Sequence, residues 1–272
     1  MGNGDLIVVT SIAESTEVAG LATTLGIKRW SAWMPGVQSY DDWKAWASLG
    51  AKYQVLDEPP PNVQAIPAML RRRLSSLGKM ALSVVWPLVA DSQCLPSVFC
   101  SRHGELERTV GMLKSLAEGE SLSPAHFSLS VHNAIGGVYS IARKDPSAIT
   151  AVAIGDEGFS QAMVEASLIL EEGRHSEVLC VIYDAPVPEI YGDSTHYTIN
   201  PDKPYAAAFL VGACEECHQN FSVNLVAKSQ NVIEDENVSG IPDALQFIRF
   251  LIQESDNLYL DAKRHGWEWD RL

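Results

Sequence analysis

The stretch SPAHFSLSVHNAIGGVYSIARKDPSAITAVAIGDEGFSQAMVEASLILEEGRHSEVLCVIYD, residues 123–184, decides the fold of this 272-residue chain. A Pro-started helical pattern over 124–142 opens it, with Gly136-Gly137 as a place for close helix contact. Residues 149–154 are apolar and partly β-branched, which suits a short buried strand. The turn Gly155-Asp156-Glu157-Gly158 leads into a second helical pattern over 159–172, closed by Gly173. Another strand, 178–183, follows. Helix, strand, tight turn, helix, strand is an α/β unit with a parallel crossover. The turn sits where such sheets carry their chemistry.

Working outward, residues 69–88 (MLRRRLSSLGKMALSVVWPL) read as an amphipathic helix with a basic start. Arg71, Arg72, Arg73 and Lys79 are the main positive cluster of an acidic chain. Residues 95–100 read as a strand, 101–105 as a turn and 106–118 as a helix. Residues 205–213 and 221–228 read as paired strands, with Cys214-Glu215-Glu216-Cys217-His218 between them as a hairpin tip. The last forty residues give a helix over 242–251 and an aromatic tail ending Trp267-Glu268-Trp269-Asp270-Arg271, which packs back onto the domain. Trp30, Trp33, Trp43 and Trp46 read as packing residues under a long loop rather than as a stacking platform. Ser101 and His103 have hydrolase residue types, but no Gly-x-Ser-x-Gly elbow surrounds them. Cys-x-x-Cys-His matches the haem-attachment string, yet haem needs export and a large pocket, and zinc needs a second pair. No cofactor and no metal are expected. No internal repeat is visible.

Composition bounds the reading. The length allows one large domain or two small ones, and a hydrophobic content of 46% fills a core, so the chain is not a disordered one. The net charge of -14 argues against nucleic acid and anionic membrane surfaces as partners. The longest apolar run, 80–90, is too short to span a bilayer and contains Pro87. No Lys or Arg precedes the apolar residues 6–9, so no secretory signal is expected. Five cysteines without a framework suit a reducing cytoplasm.

The entry Ser123-Pro124, the helix Asn133, the paired small residues, the strand, the turn and the long helix ended by Gly173 resemble the nucleophile region of the condensing enzymes. These are the β-ketoacyl synthases of the thiolase-like fold. The resemblance covers roughly residues 27–227 and is clearest over 123–188. In that family the turn bears an acyl-accepting Cys at a helix N-terminus, where the dipole lowers the thiol pKa. Gapless counting back from Gly173 or forward from Asn133 puts the expected Cys at Asp156. Gly155, Asp156 and Glu157 are the candidates, and none is Cys or Ser. A carboxylate there is stabilised by the same dipole, or simply caps the helix, but is a poor carrier of an acyl chain. The turn is similar to that of the ketoacyl-synthase-like chain-length factors, especially the short ones encoded with aryl polyene pigment synthases, whose turn runs Gly-acidic-acidic.

The resemblance implies an α/β fold: a single thiolase-like half, in α/β/α layers with a mixed five-stranded sheet, lacking the C-terminal half. That half would occupy 26–232, after an extension 1–25 and before a helix and tail, 233–272. The family's two catalytic His belong to the missing half, and Thr195-His196-Tyr197 matches the Thr-His loop only superficially. The implied function is a non-catalytic chain-length-factor subunit that pairs with a full-length β-ketoacyl synthase and shapes its acyl tunnel. The alternative is a stand-alone acyl-binding or scaffold protein. Implied partners are the ketosynthase and an acyl carrier protein. Family dimers pair the strand before the turn with its mate, which puts Val152 and Ile154 at the interface. The residue closing the partner's tunnel lies about seven positions before the helix Asn. Counting back from Asn133 gives His126, with Phe127 beside it. Arg72 and Arg73 match the basic positions that meet the carrier protein.

Overall fold

The computed structural model describes residues 22–50, 60–155, 157–191, 203–228, 240–263 and 265–272. The extension before residue 22, Asp156, the Thr195-His196-Tyr197 loop and the expected boundary at 232 lie outside them.

In chain order the elements are β1 (Ala22–Trp33), α1 (Tyr40–Leu49), α2 (Ala68–Arg71), α3 (Ser76–Val85), β2 (Ser97–Cys100), α4 (Leu106–Ala117), α5 (Pro124–Ser128) and α6 (Ala134–Arg143). Then come β3 (Ile149–Val152), α7 (Gly158–Glu171), β4 (Glu177–Asp184), β5 (Tyr205–Gly212), β6 (Gln219–Ala227), α8 (Asp243–Gln253), β7 (Asn257–Asp261) and β8 (His265–Arg271). One mixed sheet holds every strand in the order β3-β2-β4-β5-β1-β6-β8-β7. Strands β2, β3 and β4 run parallel, and all other neighbours are antiparallel.

Helices cover both faces of the sheet centre, so its strands read as unbroken apolar runs. On β4, Val178, Cys180 and Ile182 enter one core while Leu179, Val181 and Tyr183 enter the other. The first core holds α7, α8 and α1, and the second α3 and α6. Phe159, Phe209, Phe221, Phe247 and Trp269 interlock in the first core, with Phe247 and Trp269 centroids 4.7 Å apart. Trp43 and Trp46 are buried and T-stacked at 5.4 Å, so these tryptophans pack, as their sequence context suggests. α6 approaches β3 closely: a Cβ on Gly136 would lie 3.0 Å from Ile149 Cγ2, whereas one on Gly137 would meet nothing.

Four sequence expectations need correction. The sheet has eight strands, not five, because β1, β7 and β8 were not legible as strands. The first five strands in spatial order form one set, with β1 where the sequence reading had β6. The other three repeat part of its order about the antiparallel β1–β6 pair, β7-β8-β6 answering β4-β5-β1. α8 precedes β7 as α7 precedes β4, and both helices pack on the same face. Secondly, β5 and β6 are not paired, since β1 lies between them: Gly26 faces Gly212 on one side and Asn220 on the other. Thirdly, the helix expected over 124–142 is broken into α5 and α6. The Ser128 and Ser130 hydroxyls donate back to the Ala125 and Phe127 carbonyls at 3.0 and 2.8 Å, competing with helix propagation. Fourthly, the helix expected over 69–88 restarts at Ser75, whose Oγ accepts from the Gly78 N–H at 2.9 Å as an N-cap.

Candidate functional site

The C-terminal ends of the parallel strands β2, β3 and β4 converge, and the residues leaving them build the site. Asp184 ends β4 at its centre, lining cavities on both sides. Its Oδ1 accepts from the Ser101 hydroxyl at 2.9 Å and the Arg102 N–H at 2.8 Å. Burial pushes its carboxyl up from the ordinary 3.8 to about 6, although those two donors and the Arg102 charge hold it down. Ser101 is fully committed here, because its Oγ also accepts from the Gly104 N–H at 2.9 Å. It is a turn residue, not a nucleophile.

On one side of Asp184 lies a void of about 30 Å³ between Cys100, Gly155, Gly158, Tyr205 and the start of α8. That is room for about a water molecule or two. The thiol beside it, Cys100, donates to the Gly158 carbonyl at 3.3 Å, and burial, with the Asp184 charge, pushes it up to about 12. It stays protonated and unreactive. On the other side is an open cleft of about 1000 Å³ whose wall includes Trp33, Met80, Val110, Pro186 and Ile190, with Lys79 and Glu105 among its polar groups. Glu105 accepts from the Ser75 hydroxyl at 2.7 Å and Arg108 Nε at 3.0 Å.

The turn after β3 is held from a distance. Glu157 stands at the N-cap position of α7 but makes no side-chain cap bond. Its Oε2 instead meets His265 Nε2 on β8 at 2.5 Å and Gln161 Nε2 at 3.0 Å. Asn133 likewise occupies the N-cap position of α6 without a side-chain bond.

A second feature is the free edge of the sheet. Among the described residues β3 has a neighbour only on its β2 side. Ser97 and Ser101 N–H groups donate to the Ala148 and Val152 carbonyls, so by alternation the groups of Ile149 and Ala151 point outward. Val152 and Ile154 are half-buried at this edge. Exposed apolar side chains flank it, Ile141 on α6 at 67% and Leu168 on α7 at 47%. His132 Nε2–H donates to the Val152 carbonyl at 3.0 Å, anchoring the α5–α6 junction to the end of β3. His126 and Phe127 stand on α5, which packs against α4, and both are exposed, Phe127 by 59%. Arg72 and Arg73 are also exposed, far along the chain from this edge.

The structure thus places Val152, Ile154 and Glu157 on β3 and the turn after it, while His126 and Phe127 stand on α5, which packs against α4, and the Arg73 carbonyl accepts from Arg108 on that same α4. Sequence reading missed Asp184, His132 and His265. Among the described residues no cluster of three His, Cys, Asp or Glu side chains is placed to hold a metal ion. Nor is any helix among them long and apolar enough to cross a membrane.

The profile of the β-ketoacyl synthase N-terminal domain matches residues 43–270. The chain belongs to the β-ketoacyl synthase family. A solved structure described as a ketosynthase, ApeO, in complex with its chain length factor, ApeC, from Xenorhabdus doucetiae is 30% identical, with a TM-score of 0.76 over 92% of this chain and 100% of that one. The ishigamide ketosynthase/chain length factor superposes with a TM-score of 0.56 at 16% identity, over 75% of this chain and 66% of that one. A type II polyketide acyl-carrier protein in complex with its ketosynthase, AntDE:AntF, gives 0.63 at 11% identity, over 93% and 100%. At such identities these two show the fold alone. No curated protein matches the sequence. The turn after β3 reads Gly-Asp-Glu and holds neither Cys nor Ser, with a void of about 30 Å³ on its Asp184 side and a cleft of about 360 Å³ on its His265 side.

Proposed function

We propose that the protein is a chain-length factor: a condensing-enzyme-like subunit that pairs with a full-length β-ketoacyl synthase and shapes that partner's acyl tunnel. The observation that carries this reading is the turn after β3, whose Gly-Asp-Glu sequence offers no Cys or Ser nucleophile. The 30% identity to a complex of a ketosynthase with its chain length factor supports it. So does the open apolar edge at β3, since an unpaired strand of this kind is an aggregation hazard unless something covers it. In this reading Ile149 and Ala151 bond the partner's strand, Val152 and Ile154 pack at the seam, and His126 and Phe127 close the partner's tunnel. Bulk in a packed tunnel floor stops a growing chain, because interiors yield little to an added methylene. Arg72 and Arg73 offer positive charge to an acidic carrier protein by steered association.

A second reading, a lone acyl-binding protein, draws on the cleft of about 1000 Å³. It differs in requiring no partner and in taking up fatty acid as a monomer.

Co-expression with a full-length β-ketoacyl synthase tests the proposal. The two chains should co-purify, and Ala151→Pro, which removes an outward N–H, should abolish the complex. His126→Ala and Phe127→Ala should keep the complex and shift products to longer chains at near-normal rate. A complex that survives Ala151→Pro unchanged would place the interface elsewhere. An unchanged product distribution in both single variants and the double would assign the floor to other residues.

A further inference from the structure

The connection between β5 and β6 carries two thiols that the proposed function does not use. Residues 213–218 step across the flank of β1, and Cys214–Glu216 form a single 3-10 turn within them. The Cys217 N–H donates to the Cys214 carbonyl at 3.2 Å. A turn closed by such a bond keeps its outer Cα atoms within about 7 Å, and disulfides span about 4.4–6.8 Å. Both cysteines are partly exposed, whereas Cys100 and Cys180 are buried.

Three strands build the seat of Cys217. Gly26 on β1 faces Gly212 on β5. A Cβ on Gly26 would lie 2.5 Å from the Cys217 sulfur, and one on Gly212 would lie 3.2 Å from it. The sulfur therefore fills space that larger residues would take. The register of β1 against β5 shifts between Ile27 and Arg29, leaving Lys28 as the extra residue of a bulge. Bulges re-aim side chains. This one turns the Lys28 ammonium to Glu216 at 2.7 Å and Glu177 at 3.1 Å, next to the same thiol. Burial raises the Cys217 thiol pKa, and the Lys28 charge works against that rise.

We propose that Cys214 and Cys217 form a redox-active dithiol, which low-molecular-weight disulfides oxidise to an intramolecular disulfide where the two strand repeats join. The Cys214 thiolate attacks one sulfur of the oxidant, forming a mixed disulfide and releasing one small thiol. Cys217 then gives up its proton and attacks the Cys214 sulfur, expelling the second small thiol. Two protein thiols lose two electrons and two protons, and the oxidant leaves as two thiols. Lys28 favours the closing step, because its charge stabilises the Cys217 thiolate that must form.

The test equilibrates the full chain with mixtures of oxidised and reduced glutathione, quenches with acid, alkylates in denaturant and maps the cysteine peptides by mass spectrometry. Of the five cysteines, two should become unalkylatable, joined as Cys214–Cys217 with no glutathione retained. Cys217→Ser should trap glutathione on Cys214, and Lys28→Met should prolong the mixed disulfide severalfold. Two thiols that stay reduced in oxidant able to close a free Cys-x-x-Cys peptide would overturn the proposal. So would glutathione that persists on Cys214 in the unaltered protein.

Discussion

Asp184→Asn should make the protein more stable at neutral pH and change it little in acid. The carboxyl titrates near 3.8 in the unfolded chain and at about 6 in the fold, where burial disfavours its charge. Between those values the folded protein holds a proton that the unfolded chain releases, so stability falls as pH rises through the window. Above about pH 6 the deficit is constant, at about 3 kcal/mol from 1.36 kcal/mol per pKa unit. Asparagine keeps the Oδ1 that accepts from Ser101 and Arg102 and removes the charge. With a urea slope near 3 kcal/mol/M, typical of a large domain, the midpoint at pH 7.5 should rise by about 1 M. At pH 4 the gap should shrink to about 0.6 kcal/mol, or about 0.2 M. Urea titrations of both, from pH 4 to 8, read the difference directly, since every other titrating group cancels. A difference that does not change with pH, or a variant less stable at pH 7.5, would show that Asp184 is charged and well paired in the fold.

Asp156→Cys should not restore condensation by the isolated chain, because on the proposed reading the catalytic His pair belongs to the partner, and turnover of a malonyl thioester by the isolated variant would refute this. Gly266→Ala should destabilise by about 1–3 kcal/mol, because its Cβ would collide with the Tyr259 ring lying over Gly266. Adding Tyr259→Ala should remove most of that extra penalty, and a double-mutant cycle in urea that shows no coupling would mean the ring moves aside freely.

Local order was legible where one signal dominated. β4 announced itself by an unbroken apolar run, and α7 by the turn before it and Gly173 after it, where the chain takes a φ of 70°. β1 was obscured because Lys28 and Arg29 interrupt its alternation at the bulge. In β8 the period is plain in retrospect, with Trp267 and Trp269 buried and Glu268 exposed, but its partner β7 is short and half-polar. The loss of a nucleophile could be read from three residues at one turn. Asp184 could not, since a single acid at a strand end looks like any other until burial is known. Nor could the bond between His265 and Glu157, residues 108 apart in sequence.

The place of β1 in the sheet governs how the chain must be made. Gly26 pairs with Gly212, and Ala22 pairs with Asn224, so the first of the described strands to leave the ribosome finds both neighbours only after about 190 further residues have been made. At about 5–20 residues per second, residues 22–33 wait on the order of 10–40 s for β5 and β6 to emerge. Folding therefore cannot proceed from the N-terminus onward: twelve residues with two open edges stay exposed to chaperones and to other nascent chains throughout. The strand at the middle of the finished sheet is secured only after all three parallel strands have been made.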